Sequence, residues 1–111
     1  LFSLNTLASS KINFGSEAKE TAHVQNYLVN LLSERCSNVI SDDETKIFVS
    51  KITSERVDQG MELEYTATVQ ITTDYGHSPA TEVTVQFDRD IYHGGGYYLY
   101  KFNSSNNSVC K

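Results

Sequence analysis

Across these 111 residues no apolar run approaches the roughly 18 to 20 positions that cross a bilayer, so no spanning helix is expected within the chain. Basic residues are scarce, 9 against 14 acidic, and the formal net charge is −5. That balance argues against nucleic acid as a direct partner, because phosphate binding needs clustered lysine and arginine. Anionic membrane surfaces are disfavoured on the same ground. The chain opens Leu1-Phe2-Ser3-Leu4, with neither the basic n-region nor the long apolar stretch of a signal peptide. For an exported domain, the signal or membrane anchor is therefore expected upstream, with this chain a fragment. Tryptophan is missing; 7 Tyr and 5 Phe supply the aromatic content.

Signatures of catalysis are also missing. No serine sits in a Gly-x-Ser-x-Gly element. Gly94-Gly95-Gly96 lacks the Lys-Ser/Thr ending of a phosphate loop and leads into a strand pattern, which fits a turn or bulge instead. His23, His77 and His93 lack the close spacing and cysteine company of a zinc motif. Asp88 and Asp90 lie near His93, but alternation puts both on the wet face of a strand end, where carboxylates are ordinarily solvated. No metal, cofactor or enzymatic activity is expected.

What is present begins with two cysteines. Cys36 falls where a helical pattern runs out, and Cys110 is the penultimate residue. Two cysteines in an acidic domain fit one disulfide tying the helix end to the chain's last residues and stapling everything between. Such bonds persist in secreted and periplasmic proteins and are rare in the cytosol. A loop of this size is worth about 4 kcal/mol in the chain-entropy account, against about 5–15 kcal/mol for a whole domain. The alternative is two free thiols buried as small hydrophobes.

Patterning predicts one domain, residues 11–111, after a linker or juxtamembrane remnant over residues 1–10. Lys11-Ile12-Asn13-Phe14 alternates as a short first strand ended by Gly15. Ser16 to Arg35 reads as a helix: Val24, Leu28, Leu31, Leu32 and Cys36 form one apolar stripe, with Ser16 as N-cap. Ser33 is assigned to its wet face. Ser37 to Thr45 is a polar loop, and Lys46 to Arg56 a strand rich in β-branched residues. After the turn Asp58-Gln59-Gly60, residues 61–72 alternate apolar and polar throughout, the mark of a long strand with one dry face. A reversal at Tyr75-Gly76-His77-Ser78-Pro79 leads to a strand over Ala80 to Arg89. The last strand, Tyr97 to Phe102, is expected to put Tyr98, Tyr100 and Phe102 on one face. The fold class is α+β: one amphipathic helix on an antiparallel four- to five-stranded meander, with one disulfide.

Two sets of residues are candidates for function. His23, His77 and His93 are candidate pH sensors, because histidine titrates near neutrality without special partners. Tyr97, Tyr98, Tyr100 and Phe102 form a candidate surface for a partner or apolar ligand, with burial in the core as the alternative. Asn103-Ser104-Ser105 and Asn106-Asn107-Ser108 match the glycosylation sequon.

The stretches His23-Val24-Gln25-Asn26-Tyr27-Leu28-Val29-Asn30-Leu31-Leu32-Ser33-Glu34-Arg35-Cys36 and Ser108-Val109-Cys110-Lys111 carry a resemblance. With the β pattern between them, residues 11–111 resemble the periplasmic sensor domain of ToxR-type regulators, single-pass membrane proteins with a cytoplasmic winged-helix DNA-binding domain. Only Cys36 and Cys110 carry over residue by residue. The resemblance implies a periplasmic, non-catalytic module on an inner-membrane protein that pairs with a small membrane-anchored periplasmic partner. It implies a cue such as a bile salt or other apolar small molecule, pH or redox state, with a homodimer as the expected assembly. The rival expectations are a secreted cystatin-like inhibitor or immunity protein, and the head of a pilin-like subunit.

Overall fold

A computed structural model describes residues 11–111; the expected linker over residues 1–10 lies outside them. The order is β1 (Ile12–Glu17), α1 (Ala22–Arg35), β2 (Lys46–Val57), β3 (Glu62–Thr72), β4 (Thr81–Asp90) and β5 (Tyr97–Ser104). The strands form one sheet in sequence order, with α1 on one face, the α+β arrangement the pattern predicts.

The sheet is mixed, not antiparallel throughout. β1 runs parallel to β2, Ile12 beside Ile47 and Phe14 beside Val49. The reason is topological: the chain leaves β1, crosses the sheet as α1 and returns beside its starting strand, and such a crossover makes neighbours parallel. The remaining three pairs are antiparallel hairpins. A Cβ at Gly15 in β1 would come within 2.7 Å of the tip of the Phe48 ring on β2, so any side chain there requires that exposed ring to shift. Both long hairpins turn on Asp-x-Gly, with Asp58, Gln59 and Gly60, and again Asp74, Tyr75 and Gly76, at positive φ.

The helix starts later than its pattern predicts. Gly15 to Glu17 continue β1, with Glu17 beside Lys51, so Ser16 is strand, not N-cap. Thr21 caps instead, its side chain accepting from the Val24 N–H at 3.4 Å. Val24, Leu28 and Leu32 then recur every four residues and are fully buried, joined by Val29. Each such side chain contributes about 1.5–3 kcal/mol. Ser33 is buried too, and its hydroxyl donates to the Val29 carbonyl one turn back, so it is not on the wet face. Against this stripe the sheet sets Ile47, Val49, Ala67, Val69, Ile71, Val83, Val85 and Phe87, all buried. Among the described residues, no helix is long and apolar enough to cross a membrane.

Candidate functional site

Four expected positions lie on β5, and the strand divides them. Opposite β4, Phe87 pairs with Leu99 and Gln86 with Lys101, leaving Tyr100 as an extra, unpaired residue. One inserted residue reverses the alternation beyond it. Tyr97, Leu99 and Phe102 therefore share the helix side, and Tyr98 points the opposite way. The expectation that Tyr98, Tyr100 and Phe102 share a face fails at this bulge.

Tyr97 belongs to an aromatic cluster under the helix. Its ring stacks on Tyr27 at 5.3 Å, while Tyr65 stacks on Phe87 at 5.1 Å. Burial pushes the Tyr27 and Tyr65 phenols above their ordinary value, although the nearby Arg35 and Arg89 guanidiniums oppose it. Arg89 lies over the Tyr97 ring at 5.6 Å, and Arg35 over Phe102 at 5.1 Å. Tyr97 and Phe102 thus serve packing. Tyr98 and Tyr100 remain available, 44% and 67% exposed.

The disulfide joins Cys36 to Cys110. It lies at the C-terminal end of α1, where both cysteines are fully buried. Hydrogen bonds lace the same junction: the Lys111 N–H donates to the Arg35 carbonyl at 3.0 Å, and Arg35 Nη1 donates to the Lys111 carbonyl at 2.9 Å. A disulfide fits a location outside the reducing cytosol.

The three histidines are exposed. His23 sits on the first turn of α1, while His77 and His93 occupy the turns at opposite ends of β4, roughly 30 Å from each other at about 3.3 Å per strand residue. Among the described residues, His93 is the one histidine at ion-pair distance from a carboxylate, its Nδ1 lying 2.9 Å from Asp90 Oδ2. The His93 and Tyr92 backbone N–H groups donate to the other Asp90 oxygen. Chiefly through the His93 N–H, these bonds hold the Asp90 carboxyl below its ordinary range.

The face of the sheet away from α1 carries a feature that residue types alone did not reveal. Register places Glu55, Glu64, Asp88 and Tyr98 in one row across β2 to β5, with Glu62 and Asp90 in the next. The Tyr98 hydroxyl donates to Glu62 Oε1 at 2.8 Å, so its ring reaches across β4. This bond, chiefly, pushes the Tyr98 phenol up to about 12. Asp88 is not a solvated strand-end carboxylate: only 8% of it is exposed, and its Oδ1 has no hydrogen-bond partner among the described residues. Burial above all, then Glu64 and Glu62, raises its carboxyl above the ordinary aspartate value of 3.8. Met61, Ile91 and Tyr92 are exposed at the same end of the sheet. A signal for the cluster does exist in the sequence, since Glu64 and Asp88 are equally distant from Gly76 and so meet across a hairpin turning there.

At the other end of the sheet, Asp43, Glu44, Lys46, Thr72 and Tyr75 line a shallow cavity of about 340 Å³. Among the described residues no three His, Cys, Asp or Glu side chains are placed to hold a metal ion. No family model, curated protein or solved structure matches the chain. The site is therefore read from its own chemistry: among the described residues, α1 covers one sheet face, the other face is uncovered with an acidic and aromatic end, and β5 is an edge strand with no strand beyond it.

Proposed function

We propose that residues 11–111 are a non-catalytic sensory and interaction domain, the periplasmic part of a ToxR-type membrane-bound transcription regulator. The observation that supports this reading is the Cys36–Cys110 clamp, which joins the helix end to the segment after β5 at the two positions carrying the resemblance. The open edge of β5 offers backbone groups to a small membrane-anchored periplasmic partner by strand addition. Tyr98 and Tyr100 beside that edge offer aromatic surface to an apolar cue such as a bile salt. Partner or cue would shift the homodimeric state of the cytoplasmic domains.

The test is a chimera placing this chain in the periplasm, behind a membrane span and a winged-helix domain whose reporter output depends on dimerisation. Output is expected to change with bile salt, external pH or reductant, and to lose that response in Cys36→Ser/Cys110→Ser. Output indifferent to every cue, together with inhibition of a cysteine protease by the purified chain, would transfer the reading to the secreted inhibitor.

A further inference from the structure

We propose that the carboxylates of Asp88, Glu64 and Glu62, overarched by Tyr98, form a docking site for a basic side chain of a partner protein. The inference deepens the interaction reading above and rests on it, naming the chemistry that the open sheet face selects.

Three observations carry it. First, Asp88 is more than nine-tenths buried on this face, yet its Oδ1 has no donor among the described residues. A buried carboxylate without a partner is costly, and a donor N–H that reaches it as the covering side chains shift removes that cost. Second, Glu64 stands directly opposite Asp88, Glu55 directly opposite Glu64, and Glu62 opposite Asp90. Like charges paired across strands destabilise a sheet. Among the described residues no lysine or arginine forms an ion pair with any of them; His93, on Asp90, is the only cation at ion-pair distance. Arg89 lies on the helix side over Tyr97, and Lys101 pairs with Gln86 in the adjoining row. The unliganded domain thus concentrates negative charge without neutralising it.

Third, the surroundings suit an organic cation on a protein segment. The Tyr98 ring gives a face for a guanidinium or ammonium, and its hydroxyl already engages Glu62. The exposed Met61, Ile91 and Tyr92 offer apolar surface to the aliphatic stem and to neighbouring residues of the same segment. A bare divalent ion is a poorer fit, because no three of these side chains converge closely enough to hold one. A guanidinium spreads five donors over a wider fork and bridges carboxylates on adjacent strands. The net charge of −5 steers such a partner towards the domain.

The test titrates the full chain with blocked tetra-arginine, using tetraglutamine and calcium chloride as controls and following residue-resolved NMR shifts with calorimetry. Expected is saturable tetra-arginine binding with shift changes centred on Glu62, Glu64, Asp88 and Tyr98. Asp88→Asn and Glu64→Gln should each weaken it by about tenfold or more, whereas Glu44→Gln in the remote acidic loop should not. Absence of saturable binding overturns the proposal. So do shifts spread equally over Asp42, Asp43 and Glu44, or a response at these carboxylates to calcium and not to arginine. Each readout is taken on the purified chain, so a negative result leaves the reporter response of the chimera standing, and a silent chimera leaves arginine binding measurable.

Discussion

The two faces of this sheet are built to opposite rules. On the helix side, Val69, Val85 and Phe87 meet α1 with no exposure, and the disulfide closes the end of that layer. On the other side, Glu55, Glu64 and Asp88 share a row, a device that weakens the isolated fold. A strand shows alternate residues to each face, so one segment serves both roles: Phe87 anchors the core and Asp88, its neighbour, faces the acidic row. The packed core and the proposed docking row are thereby separated by a single residue step. Substitutions on one face should move stability, and those on the other should move binding.

The largest effect is expected from the clamp. Cys36→Ser with Cys110→Ser, or reduction of the bond, should cost about 4 kcal/mol by the loop-entropy estimate, read as a lower denaturant midpoint. An unchanged midpoint would show that the laced junction of Arg35 and Lys111 holds the helix end without the bond. Next comes the helix stripe. Leu28→Ala should cost roughly 2–5 kcal/mol by removing a fully buried side chain from against the sheet. A cost below about 1 kcal/mol would mean that the inner face is not close-packed.

Those two effects concern what the sequence made legible. The alternation over residues 61–72 returns as β3, and the apolar stripe from Val24 to Cys36 as the buried side of α1. Three features escaped because local pattern does not contain them. The direction of β1 depends on where the crossover lands, which is tertiary. The β5 alternation looks unbroken until pairing with β4 shows Tyr100 to be supernumerary. Asp88 reads as a solvated strand-end carboxylate until register sets Glu64 on one side of it and Tyr98 on the other.

The helix start gives a smaller test. Thr21→Ala should cost roughly 0.5–2 kcal/mol, towards the low end because the capping bond is long at 3.4 Å. Ser16→Ala, in an exposed strand position, should stay within about 0.5 kcal/mol. The reverse ranking in thermal or denaturant unfolding would restore the earlier start that the sequence pattern favours.

The smallest effect in stability is the sharpest for the comparison of faces. Asp88→Asn removes one like charge from the row and should stabilise the domain at neutral pH by roughly 0.2–1 kcal/mol. Its pH dependence has a definite sign. Folding raises the Asp88 carboxyl above 3.8, so the folded state holds that proton more tightly than the unfolded chain. Its contribution is complete below the ordinary aspartate value and is lost as pH rises through the folded one. Asp90 runs the other way: its carboxyl is lowered, so its contribution is present above the ordinary value and lost as acid protonates it. Glu62 and Glu64 face Asp88 from β3, Asp90 and Gln86 flank it on β4, Tyr98 covers it from β5, Lys101 stands one row away and Glu55 ends its row. With Asp90 intact in both proteins, the advantage of Asp88→Asn over wild type should shrink as pH falls from about 7 towards 4, because wild type gains what the variant already has. Urea unfolding at a series of pH values measures that difference directly. A constant gap over the window would mean that Asp88 titrates as a surface carboxylate, and the open face would then hold no buried charge for a basic partner to neutralise.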